Sequence, residues 1–400
     1  MACIRGFIIT NRERENATLS FQKPLDRGPV EETFFPWTLS LNRWKDEGLP
    51  INIADGVYST GGREIRPEEV YIHTVMAGGV YEYERYLGFD GIKRLFFNLP
   101  FLNFETKTID ETEDYIIKQE FDGWQRKHYK NRDLIEEHRP VICCKNDWEL
   151  LKQKAVSEIE KYYSDENFQS LCGIYKERHE NGDFSVRIGI TGFFWTPRTL
   201  LGIEQHLLAY YDYPEMLHDM NRFILEVYYE RLGKMLDILP ADVLYIMEDL
   251  SGANGPMISP ALFDEFVGSY YRQLVPFLKS KGVGHIFVDT DGDFNILIPN
   301  FIETGIEGFL PMDVNAGMDI VAVRQKYPML KFIGAFNKLK IAQGQEAIDS
   351  EFERLLPVIR QGGYIPGCDH QVAPSTPFEN YLFYIDRLKE VMKEAGKDLT

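Results

Sequence analysis

Four strand-like apolar runs in the second half of the chain end in side chains able to do chemistry. They are Val243-Leu-Tyr-Ile-Met-Glu248-Asp249, His285-Ile-Phe-Val-Asp289-Thr-Asp291-Gly292, Gly308-Phe-Leu-Pro-Met-Asp313 and Gly363-Tyr-Ile-Pro-Gly-Cys368-Asp369-His370. Asp289 and Asp291 stand two apart, so an extended backbone puts them on one face. Two carboxylates that close need a cation, a shared proton or an arginine beside them. Glu248 and Asp249 are adjacent and point to opposite sides, so at most one faces a common pocket directly. Two readings stay open: one of them simply accepts loop N–H bonds, or it serves as a carboxylate for substrate or a metal. Cys368-Asp369-His370 offers sulfur, oxygen and nitrogen, a mixture that suits Zn2+, although a buried inert thiol fits Cys368 equally well. Asp289-Thr-Asp-Gly-Asp293 lacks the later oxygen ligands and terminal Glu of an EF-hand loop, which excludes that type of calcium site. Asp293 reads as a helix N-cap and His285, at the start of its strand, as structural. Asn337, at the end of Phe332-Ile-Gly-Ala-Phe, is a candidate orienting group. Trp37, Arg43 and Trp44, with the aromatics of Tyr71-Ile-His73, Tyr81 and Tyr83, could wall a pocket for a flat ligand.

These side chains need elements that bring them together. From Phe184 onward the pattern alternates strand and helix. Strands are expected at 184–194, 243–249, 284–290, 306–311, 330–336 and 363–367. Helices are expected at 197–208, 214–236, 259–281, 293–303, 318–326, 345–361 and 376–394. Such alternation implies a parallel sheet. The strands are short and numerous and no Gly-x-Gly-x-x-Gly follows the first, so a (β/α)8 TIM barrel is preferred to an open doubly wound sheet. In a barrel the strand C-termini share one mouth, where the active site is built. Upstream, a helix over Asn11–Leu19, a turn over Lys23–Val30 and a helix over Pro36–Gly48 form an N-terminal helical extension. Residues 100–124 alternate like an antiparallel excursion. Residues 125–180 are charged and read as helical cover, so about 100–180 is a peripheral insertion in one domain spanning 1–400.

The 400 residues are 44% hydrophobic and 26% charged, an ordinary globular balance. A net charge of −18 repels phosphate backbones and argues against nucleic-acid binding. No apolar run is long enough for a membrane span, and the opening residues do not read as a signal peptide. The five cysteines, Cys3, Cys143, Cys144, Cys172 and Cys368, form no disulfide framework. A cytoplasmic location is therefore expected. No nucleophile elbow and no Walker loop occurs.

Several motifs together are similar to those of the uroporphyrinogen decarboxylase superfamily. They are Glu248-Asp-Leu-Ser-Gly-Ala-Asn-Gly-Pro-Met-Ile-Ser-Pro260, Asp289-Thr-Asp-Gly-Asp293 and the run from Gly362 to Tyr381. Asn11-Arg-Glu-Arg, Asp26-Arg-Gly-Pro-Val30 and Arg43-Trp-Lys-Asp-Glu-Gly-Leu-Pro50 add to the likeness. The resemblance implies a (β/α)8 barrel and one of two chemistries. One is cofactor-free decarboxylation of uroporphyrinogen. The other is methyl transfer between a corrinoid and a thiol or other acceptor, often with zinc. The decarboxylases' arginine-rich Arg-Gln-Ala-Gly-Arg-Tyr motif corresponds here to Phe35–Trp44, where only Arg43 is basic. The methyltransferases' His-x-Cys and final Cys correspond to Asp289, Asp291 and Cys368. The expectation is a cobalamin-linked methyltransferase or demethylase component, with a corrinoid protein or a small-molecule methyl donor or acceptor as partner. Asp289, Asp291 and Cys368 would hold zinc, Glu248, Asp289 and Asp291 would be catalytic, and Trp37, Arg43, Trp44, Asn337 and His370 would bind substrate. The alternative is a metal-free decarboxylase of uroporphyrinogen or a smaller acid. The superfamily also implies a possible homodimer.

Overall fold

A computed structural model describes residues 9–22, 26–58, 66–74 and 80–395. Cys3 and the opening residues, the turn at Lys23–Leu25 and the side chains of His73 and Tyr81 lie outside the described residues. The first helix spans Asn11–Leu19, and its cap is Thr10, in a reciprocal capping box with Glu13.

Seven strands run parallel: β1 Ile92–Phe97, β2 Ser185–Thr191, β3 Val243–Met247, β4 His285–Thr290, β5 Gly308–Pro311, β6 Lys331–Phe336 and β7 Tyr364–Cys368. Each pairs with the next in sequence. A short strand, Ile72–Thr74, adds antiparallel to β1. The sheet is curled, because Val243, Phe287, Leu310, Ile333 and Ile365 from five strands meet Leu19 in one small inner cluster. The opposite face packs beneath the helices, including Pro214–Val227, Ser269–Ser280, Gln345–Gln361 and Phe378–Ala395.

Between β7 and β1 lies the extended segment 28–33, without ladder hydrogen bonds to either strand among the described residues. Val30 accepts from the Asp90 amide (2.7 Å), just before β1. The Glu32 carboxylate accepts from the Cys368 amide (2.6 Å), and Arg94 donates to the Glu32 carbonyl (3.1 Å). Side chains and loop groups thus replace a ladder where an eighth stave is expected.

The excursion between β1 and β2 has the antiparallel start expected over 100–124, and corrects the expected helical cover only over 125–139. It is a four-stranded antiparallel sheet, Lys107–Glu111, Tyr115–Gln119, Gln125–Tyr129 and Ile135–Arg139, before the helix Lys145–Tyr162. Both later strands are charged on both faces, so their composition carries no period-two pattern. Pairs such as Arg126 with Glu120 and Asp122, and Lys130 with Glu111, offset their charge.

Candidate active site

Strand parity decides which tip residues can meet. On β4, Phe287 belongs to the inner cluster, so Asp289 faces inward too. It lines an internal cavity of about 90 Å³ with Arg94, Arg187 and Tyr245. Its carboxyl is enclosed by protein yet keeps surface on that cavity, and no described group bonds its side chain. Burial, with Asp249 and Asp291 nearby, pushes its pKa well above the usual aspartate value. Both arginines are committed. Arg94 pairs with Glu84 at 2.5 Å, and Arg187 with Glu31 at 2.6 Å and Glu15 at 3.2 Å.

Above Asp289, the mouth over β4–β7 collects acids around one imidazole. Asp291 Oδ1 lies 3.1 Å from His370 Nε2. His370, Asp313 and Asp369 each offer a ligand atom, all within 4.8 Å of one another. Asp369 is fully buried and accepts from the Lys338 amide and the Asn315 side chain, both at 3.1 Å. Asn337 exchanges amide contacts with Asn315 at 3.4–3.5 Å, which places it beside the same cluster. Asp249 accepts the Asp291 amide (3.3 Å) and sits at φ +39°, a left-handed conformation that costs a non-glycine residue energy and clusters at functional sites. Burial works against a charged His370, but the Asp291 ion pair outweighs it and raises the imidazole pKa. Burial also raises the pKa of Asp249 and Asp369.

Two expected residues, Glu248 and Cys368, lie elsewhere. Glu248 has the outward parity, one residue past inward-facing Met247. It is fully buried and accepts from the amides of Phe193 (3.0 Å), Phe194 (2.9 Å) and Trp195 (2.9 Å), and from the Tyr271 hydroxyl. It therefore anchors the start of the helix Trp195–Leu201. Cys368 also has outward parity, three residues past inward-facing Ile365, and is fully buried. Its thiol interacts with Glu32 and Tyr384, and burial raises its pKa. Asp289, Asp291 and Cys368 are therefore not brought together, and the thiolate-containing ligand set implied by resemblance is not assembled. The imidazole and two carboxylates of His370, Asp313 and Asp369 are a donor set that zinc does accept.

Trp44 is buried against Tyr381 and Phe378 and donates to the Thr376 carbonyl (2.8 Å). Arg43 is held by Glu47 (2.6 Å) and the Pro374 carbonyl (3.1 Å). Trp37 is exposed at the head of the helix Thr38–Asp46. Asp249, Asp313 and Asp369, not singled out as site residues, join the cluster. Their signal was visible, since each follows a strand-like run, but the run does not tell which side of its tip they occupy.

The uroporphyrinogen decarboxylase (URO-D) family model matches residues 149–391, more than half of the chain. The uroporphyrinogen decarboxylase of Aliarcobacter butzleri (strain RM4018) is 26% identical over 224 residues, 52% of this chain and 60% of that protein. That of Sulfurovum sp. (strain NBC37-1) is 26% identical over 221 residues, 51% and 59% respectively. The chain thus matches less than two thirds of the length of these curated relatives. Among solved structures, a methyltransferase from Methanosarcina mazei aligns with TM-score 0.56 at 16% identity, covering 96% of this chain and 99% of that one. That likeness extends the fold over nearly the whole chain, and the matching α/β elements and family model lead to one conclusion: this chain belongs to the uroporphyrinogen decarboxylase family.

Proposed function

We propose that this chain is an enzyme with its reaction centre at the strand C-termini, and that it is a corrinoid-linked methyltransferase or demethylase component. In this reading segment 28–33 is the eighth stave of a (β/α)8 barrel. The observation that carries the reading is the charge of the mouth. Asp249, Asp291, Asp313 and Asp369 gather around His370, while Arg43, Arg94 and Arg187 are each bound to protein carboxylates. Decarboxylation of a polyanionic tetrapyrrole needs free cations for its acid arms, and four aspartates repel them.

A methyl donor that leaves as an alkoxide, thiolate or amine needs a proton or a hydrogen-bond donor at its leaving atom. Asp291 beside His370, and the burial of Asp289, each favour the proton-bearing form, so in a metal-free site both groups can supply one. Asp249 and Asp291 favour a substrate that carries a donor or positive charge. Zinc or a similar divalent cation would be held by His370, Asp313 and Asp369, where its chemistry would be Lewis-acid activation of a bound thiol or hydroxyl. The methyl partner would be a corrinoid protein or free cobalamin.

Incubating the purified chain with methylcobalamin and small thiols, and following the cobalamin spectrum, tests the reading. Demethylation that His370→Ala abolishes is the expected result. Release of CO2 from uroporphyrinogen by a chain that leaves methylcobalamin intact would replace this reading with the decarboxylase one, which the names of the sequence relatives favour.

A further inference from the structure

The mouth has a second half, over β1–β3, unlike the acidic one. There a cavity of about 240 Å³ is walled by Phe96, Phe101, Trp124, Trp195 and Met247, with hydroxyls from Thr191 and Thr196. Phe96 and Met247 belong to strand tips, Phe101 to the loop after β1 and Trp195 to the head of the helix after β2. The fifth, Trp124, comes from the antiparallel insert, and two contacts fix it in place. Its indole N–H donates to the Thr199 carbonyl (2.7 Å), and its ring lies so close to Gly202 that a Cβ there would stand 3.2 Å away. Gly202 also has φ +79°, so a larger residue is disfavoured twice over. The insert is thus docked on the barrel by the residue that closes the cavity.

The two halves meet at Asp249. Met247 lines the cavity, and Asp249 follows two residues later. The Arg198 guanidinium rests over the Trp195 ring (5.1 Å) and donates to the Asp249 carbonyl (2.6 Å), while the Asp249 carboxylate accepts from Asp291. The Asp249 backbone thus borders the aromatic half, and its carboxylate, which accepts from the Asp291 amide, begins the acidic half.

Ligand sites for drug-sized molecules run to roughly 300–1,000 Å³. A cavity of about 240 Å³ accommodates a single aromatic ring with a short substituent. Aromatic walls favour offset or edge contact with such a ring. From these observations we infer that the insert makes the mouth selective for a small aromatic compound, its ring against Trp124 and Trp195 and its amine or hydroxyl end toward Asp249 and Asp291. This rests on the mouth being the reaction centre, and it adds a substrate class and a role for Trp124 as a specificity-determining residue.

Calorimetric titration of the full chain tests it with three probes: phenethylamine, 3-phenylpropanoate and 2-cyclohexylethylamine. Phenethylamine is expected to bind best, since the second probe reverses the charge and the third removes the ring's flat face. Trp124→Ala should weaken it about tenfold or more, as truncation of an aromatic anchor does. Leu102→Trp, which fills the cavity without removing the anchor, should do the same, with circular dichroism melts confirming that each variant is folded. Failure of phenethylamine to bind at millimolar concentration, equal affinity for all three probes, or affinity unchanged in a folded Trp124→Ala or Leu102→Trp protein would overturn the proposal. Asp291→Asn separates the two ideas. If it leaves turnover intact while ring binding still depends on Trp124, the reaction-centre reading fails and the aromatic cavity stands. If it abolishes turnover and no ring binds, the reverse holds.

Discussion

Replacement of Glu248 separates a catalytic carboxylate from a structural one. Its Oε1 accepts from the Phe193 amide and the Tyr271 hydroxyl, and its Oε2 from the Phe194 and Trp195 amides. Glu248→Ala orphans four donors in a water-excluded site. At roughly 2 kcal/mol each the loss is about 8 kcal/mol, and no longer burying a carboxylate offsets several kcal/mol of it. The net expected destabilisation is about 4 kcal/mol. In Glu248→Gln one oxygen becomes an NH2 that faces two donors, so two bonds are lost instead of four. Two lost bonds at about 2 kcal/mol each and an NH2 without an acceptor at about 2 more, less the same offset of about 4, leave a cost of about 2 kcal/mol. Urea unfolding followed by tryptophan fluorescence reads both numbers, with an unchanged slope showing that the midpoint shift is a change in stability. Turnover per folded molecule should fall only as far as the Phe193–Trp195 turn is disturbed. A Glu248→Gln protein as stable as the parent but without activity would refute the assignment and return Glu248 to the reacting groups.

Three further outcomes follow from the same geometry. His370 has a folded pKa raised above its unfolded value, so the pair with Asp291 stabilises the fold fully below that unfolded value and loses this as pH rises through the folded pKa. Asp291→Asn should lower the imidazole pKa seen by NMR titration and flatten this part of the stability–pH curve; an unmoved titration would show that Asp291 does not charge His370. Trp44→Ala should cost about 3–5 kcal/mol, since a fully buried indole and its bond to Thr376 are lost, whereas Arg43→Gln should cost under about 1 kcal/mol because its partner Glu47 is partly exposed. Comparable losses on thermal melting would contradict those placements. Any stoichiometric divalent metal found by elemental analysis should disappear in Asp313→Asn or His370→Ala and persist in Cys368→Ala; loss with Cys368→Ala would restore the thiolate set.

The strand–helix alternation after Phe184 was readable because each element is local: apolar runs of four to seven residues bounded by turn residues form strands wherever they pack. The element order, the parallel sheet and the acids at the strand tips were present in the chain's own pattern. The charged strands Gln125–Tyr129 and Ile135–Arg139 were not, because backbone ladders to neighbouring strands hold them, and no single segment shows a period.

Parity is where sequence alone stopped. Alternation says that Glu248 and Asp249 face opposite ways, and that Asp289 and Asp291 share a side, but not which side is inward. The inner cluster of Val243, Phe287, Leu310, Ile333 and Ile365 decides that, through packing of strands far apart in the chain. It turns Cys368 outward to Glu32 and Tyr384 and Glu248 outward to the loop amides, and leaves Asp289 facing the internal cavity. At the tips even alternation fails, since Asp249 leaves its strand at φ +39° and Met312 at φ +62°. The chain by itself determined the kinds of groups at the mouth. Tertiary structure chose which of them meet, because a side chain's partner is set by the curl of the sheet and not by the residues next to it.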